Sequence, residues 1–117
     1  MSQTTKDSKA FIAGTNLEAF RRVKLSTNSG TQVEYALAGE AFIGVTALQA
    51  NAGERVTIDL KTTGRTFKLV AAGAITAGAN IYGAIDGQVS TTVSGAIIGR
   101  ALEAATSALE VIEVLFI

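Results

Sequence analysis

The chain contains no histidine, cysteine or tryptophan in 117 residues. Without cysteine there is no disulfide and no thiolate metal site, and the redox compartment leaves no mark on the sequence. Without histidine as well, the commonest general base and the commonest nucleophile pairings are gone. Composition leaves Ser–Lys or paired-carboxylate chemistry open. No apolar run approaches the roughly 18 residues of a membrane-spanning helix. The opening "MSQTTKDSKA" is polar and charged and lacks the apolar centre of a secretory signal. A soluble protein made in the cytosol is expected, with no membrane partner.

What is present is 48% hydrophobic and rich in alanine, valine, isoleucine and leucine, with ten basic and ten acidic residues. The charges are unevenly placed. Residues 1–24 hold Lys6, Lys9, Arg21, Arg22 and Lys24 against Asp7 and Glu18, whereas residues 69–117 hold Arg100 against Asp86, Glu103, Glu110 and Glu113. A nucleic-acid site would need a larger basic patch and stacking aromatics, so no nucleic-acid partner is expected. One domain of this length holds a core without metal or disulfide support.

The segment "IGRALEAATSALEVIEVLFI" (98–117) poses the problem of fold class. Its Ala, Leu and Glu favour helix, while Val111, Ile112, Val114 and Ile117 favour strand. An internal repeat resolves the conflict. Residues 43–60, "IGVTALQANAGERVTIDL", carry the same order of Ile-Gly, Ala-Leu-Gln/Glu-Ala, a polar link and a β-branched run. In that copy Val56, Ile58 and Leu60 alternate with polar residues after a Gly-containing turn, which is strand periodicity. "AGTNL" (13–17) likewise resembles "AGANI" (77–81), and the turns "TNSG" and "DG" follow.

The expectation is an all-β fold, a small barrel or compact sandwich of two duplicated β-meander units, about 13–61 and 77–117, joined by "AAGAITAGAN" (71–80). Strands are expected near 21–26, 32–37, 42–48, 55–61, 66–71, 80–85, 89–93, 96–102 and 109–116, with residues 1–12 an extended, flexible N-terminal arm. The placeable acidic residues alternate with apolar ones on strands or sit at turns, and "IDG" (85–87) reads as a hairpin turn lacking further calcium ligands. "GAIIG" lies in no apolar span, and the Gly-rich link lacks the Gly-Lys-Ser/Thr ending of a phosphate loop. The seven aromatics are scattered. No active site, cofactor or metal site is expected.

The order "AGTNLEAFRRVKLSTNSG…FIGVTALQANAGERVTIDL", then "TAGANIYGAIDGQVSTTVSGAIIGRALEAATSALEVIEVLF", resembles the capsid cement, or head decoration, proteins of tailed bacteriophages. The second half is the most telling, from Ala77-Gly78 through the Asp-Gly turn, Ile98-Gly99 and Ala101–Ala104 to the last apolar strand. The resemblance implies a non-enzymatic structural protein on the outer surface of the head, which braces the shell. It also implies a homotrimer at three-fold positions, with the major capsid protein as partner. Two departures are Arg100, where a small or apolar residue is expected, and the added polar segment 1–12. A phage tail or baseplate β-module and a glycan- or small-molecule-binding β-module are the alternatives.

Two sets of site residues follow. "LEVIEVLFI" is apolar on both faces of a strand, so one face is expected to meet another subunit. Ile112, Val114 and Phe116 are assigned to that interface. In the polar N-terminal segment, Lys6 and Lys9 precede the apolar pair Phe11 and Ile12, a pattern suited to an arm that folds on binding the capsid.

Overall fold

Strand pairing begins earlier in the chain than side-chain alternation signals it. The computed structural model describes residues 8–117. The first five strands are β1 (Ser8–Ala13), β2 (Arg22–Leu25), β3 (Gln32–Tyr35), β4 (Gly44–Thr46) and β5 (Arg55–Leu60). They form a closed barrel in the order β1-β3-β2-β4-β5. The next five are β6 (Thr66–Val70), β7 (Asn80–Gly83), β8 (Val89–Ser90), β9 (Gly99–Ala101) and β10 (Val111–Phe116). They form a second sheet in the order β6-β10-β9-β7-β8. Among the described residues the only helical piece is a 3-10 turn, Ile85–Gly87, so the all-β expectation holds.

The two lobes repeat one pairing scheme. In the first, β1 runs antiparallel to β5 and parallel to β3, with Ala13 opposite Val33. In the second, β6 runs antiparallel to β10, and a single parallel bridge joins Ala71 to Val89. Leu17 bridges Ala50 in one lobe as Ile75 bridges Ala105 in the other. Lys61 N donates to Ile43 O at 2.8 Å, and Ile117 N donates to Ile98 O at 3.2 Å. The Ile-Gly motifs therefore occupy equivalent places at β4 and β9.

The "AGTNL" and "AGANI" alignment is shifted. Ala13 corresponds to Ala71 and Leu17 to Ile75, because β6 takes the place of β1. Residues 71–80 are thus part of the second lobe.

The second lobe closes incompletely, and the first lobe completes it. Where β1 has Ile12 opposite Gln32, the matching Val70 N donates instead to Phe20 O at 3.0 Å, from the loop before β2. Phe20 adopts φ 63° there. One core contains Phe11, Ala13, Leu17, Val23, Val33, Val56 and Ile58. The other takes Ala36, Phe42 and Val45 from the first half into a cluster with Phe67, Leu69, Ile81, Val89, Ile112, Val114 and Phe116. The lobes therefore share buried core residues across their seam.

Candidate functional site

The predicted interface residues lie inside the subunit. Ile112, Val114 and Phe116 are at most 1% exposed. Phe116 stacks on Phe67 at 4.4 Å and meets Phe42 edge-on at 5.4 Å. These contacts fix the phase of β10, because three phenyl rings fill a core otherwise made of small and aliphatic residues. The opposite face points outward, with Val111 and Ile117 exposed, Leu115 half-buried and Glu113 between them. Arg100 stands on the same outer side opposite Leu115, which explains why a charge is tolerated at that position.

The proposed arm is also corrected. Lys6 lies outside the described residues. Lys9, Phe11 and Ile12 belong to β1, paired with β5 from Ser8↔Asp59 to Ile12↔Arg55. The ladder supplies the ordering that the side chains of this segment lack. Phe11 is 7% exposed and packs in the first core, so its ring is not available to a partner.

Three of these residues still meet in one surface feature. A groove of about 380 Å³ is lined by Lys9, Ala10, Phe11, Ile12, Thr31 and Arg55. Two cations and no carboxylate line it, and Ile12 stands 36% exposed at its side. Sequence reading missed Arg55 and Thr31, since they reach this place only through the strand register. A second groove of about 400 Å³ runs beside the β7–β8 hairpin, lined by alanine, glycine, serine and threonine with Ile85 and Val93. No charged side chain lines it, and both Ile85 and Val93 are exposed.

Between the lobes lies a buried pair of arginines. Arg22 is 0% exposed. Its guanidinium donates to Ala84 O at 2.6 Å and Gln88 O at 3.0 Å, across the seam. Longer bonds reach Ala36 O and Leu37 O, both at 3.4 Å, and the group lies 5.3 Å from the Phe42 ring centre. Burial pushes its pKa down to about 10, opposed by the Glu40 carboxylate, so it is charged at neutral pH. Gly83 makes the space, because a Cβ there would stand 2.7 Å from Arg22 Nη1. Arg21 donates to Glu18 Oε2 at 2.7 Å and Asp86 O at 2.9 Å. The hairpin turn expected at 85–87 supplies Asp86 O to Arg21, and the residues flanking it, Ala84 and Gln88, accept from Arg22. A lone Arg-Arg pair at a strand start resembles solvated surface in the sequence; only the small residues facing it reveal the role.

The carboxylates serve turns and surface pairs. Glu54 Oε1 accepts from Asn51 N at 2.7 Å, and Glu110 Oε2 accepts from Thr106 N, Thr106 Oγ1, Ser107 N and Ser107 Oγ at 2.6–3.0 Å. Each clasps the turn before the last strand of its lobe. Hydrogen bonds from the Thr106 and Ser107 hydroxyls hold the Glu110 carboxyl below its ordinary pKa. Lys24 Nζ lies 2.9 Å from both oxygens of Glu40. Among the described residues no three His, Cys, Asp or Glu side chains gather as a metal site, and no helix is long and apolar enough to cross a membrane. What the arrangement offers is a two-lobed body whose surface grooves include two of contrasting character, one cationic and one uncharged.

Comparison with known proteins places this architecture. A family model described as phage cement protein matches residues 3–116. Among solved structures, the chain is similar to the head fiber gp8.5 N base of bacteriophage phi29, with a TM-score of 0.80 at 18% identity. The similarity covers 94% of this chain and 92% of that one. Curated protein sequences returned no match.

Proposed function

This chain belongs to the phage cement protein family, and from that premise we propose that it decorates and stabilises the outer surface of a phage head, without catalysis. It does so as a homotrimer at three-fold positions, bound to the major capsid protein. The observation that carries the reading is the extent of the family match, which spans both lobes. The geometry supports it. A brace must transmit load without deforming, and the two lobes are joined by a shared core and by the Arg22 bonds across the seam.

The grooves divide the two contacts that such a protein needs. The cationic groove on β1 faces the capsid. The uncharged groove beside β7 and β8, with exposed Ile85 and Val93, serves self-association, since interface centres are depleted in charge. The test adds the purified chain to heads assembled without it, followed by co-sedimentation and by heating until DNA is released. Binding that raises the release temperature is expected; heads that neither bind the protein nor gain stability overturn the reading. Light scattering of the free protein at micromolar concentration is expected to give a trimer, and Val93→Asp a smaller species.

A further inference from the structure

The cationic groove runs along backbone that the barrel leaves uncovered. Ala13 N donates to Glu54 O at 2.9 Å, so along β1 every second residue, Phe11 and Lys9 among them, turns its peptide groups toward β5. Ile12 and Gly14 face the other way, and their N–H groups donate to Thr31 O and Val33 O at 2.8 Å. Ala10 also faces that way. But β3 begins at Gln32, opposite Ile12, and does not reach it. By this alternation the Ala10 peptide groups point away from β5, no strand of the described residues pairs with them on that side, and the residue is exposed. Strand edges in this state accept another strand.

The geometry points to β1 as the acceptor for an extended, acidic segment of the capsid partner, which pairs with the Ala10 peptide groups in the groove of Lys9, Ile12, Thr31 and Arg55. This inference rests on the capsid reading and names the chemistry of the contact. Two observations choose the occupant. The outward N–H and C=O of Ala10 call for an extended backbone, and the exposed Arg55 guanidinium, in a lining without carboxylates, calls for negative charge. Ile12, exposed beside them, adds an apolar contact. Arg55 is exposed and has no hydrogen-bond acceptor or ion-pair partner among the described residues, so its guanidinium is available.

Three full-length variants test it on heads assembled without the protein. Ala10→Pro removes the outward N–H while leaving every bond to β5 in place, since proline is tolerated on strand edges. Arg55→Glu reverses the charge, and Ala10→Val keeps the N–H as control. Proline and glutamate are expected to weaken binding by at least about tenfold, with Ala10→Val unchanged. The Ala10 amide of the native protein is expected to exchange slowly on heads and quickly in solution. That measurement decides the matter should Ala10→Pro fail to fold. Native affinity in Ala10→Pro, or an Ala10 amide equally fast in both states, overturns the edge pairing while capsid binding stands. Native affinity in Arg55→Glu overturns the acidic character of the segment. A native protein that does not bind heads removes the capsid reading itself.

Discussion

Arg22 is the residue on which the two lobes depend most. Its guanidinium bonds the carbonyls of Ala84 and Gln88 across the partly buried seam. Arg22→Ala removes the side-chain donor to Ala84 O and leaves Gln88 O with the Ala84 N–H alone, and a loss of about 2 kcal/mol in urea unfolding is expected. Arg22→Lys is expected to recover little, because one ammonium cannot span acceptors arranged for a planar fork. Glu110 acts at the other extreme, on the surface. Hydrogen bonds from Thr106 and Ser107 hold its carboxyl below the ordinary glutamate range in the folded chain, and unfolding releases it. The unfolded state therefore binds more protons as the pH falls into the carboxylate range, so the stabilisation present at neutral pH disappears in acid. Glu110→Gln is expected to melt slightly lower than the native protein at pH 7, with the two curves converging in acid.

At the scale of elements, the sequence signalled nine of the ten strands, and each was visible through side-chain alternation or turn residues. The missing strand, β1, was not, because Ser8, Lys9 and Ala10 carry no apolar alternation and its pairing is made by backbone groups. The same blindness hid the groove: Lys9 and Ile12 were legible as candidates, whereas Arg55 and Thr31 required the register. On β10 alternation was clear, but both faces were apolar, so composition could not say which one met the rings of Phe42 and Phe67. The helical propensity of 101–105 lost to tertiary pairing, with Ala101 in β9 and Ala105 bridged to Ile75.

The repeat supplies its own test at this scale. Gly44 and Gly99 occupy equivalent sites, and an added Cβ would run into Asp59 O or Leu115 O of the adjacent strand. Gly44→Ala and Gly99→Ala are each expected to cost about 2 kcal/mol or more, read as similar shifts of the urea midpoint.

For the whole molecule, the cores and the seam make one cooperative unit. Phe42 and Val45 belong by order to the first lobe and by packing to the second, while Phe20 fills the edge that β8 leaves open. Calorimetry of the full chain is expected to show one transition, with equal calorimetric and van't Hoff enthalpies. Cutting the chain between residues 61 and 65 is expected to leave the 66–117 fragment unfolded. Two separate transitions would show that the lobes are independent.

The position of β10 in its sheet carries a consequence for the timing of biosynthesis. It is the last strand in order, yet it lies between β6 and β9 and hydrogen-bonds to both. On a translating ribosome β6 through β9 emerge with their central place vacant, and nothing can close the second lobe until β10 follows. The first lobe, complete once β5 is out, waits with Arg22 and Phe20 ready for a partner not yet made. A chain interrupted short of β10 thus keeps its second half open, and only a finished polypeptide reaches the assembly line as a competent part.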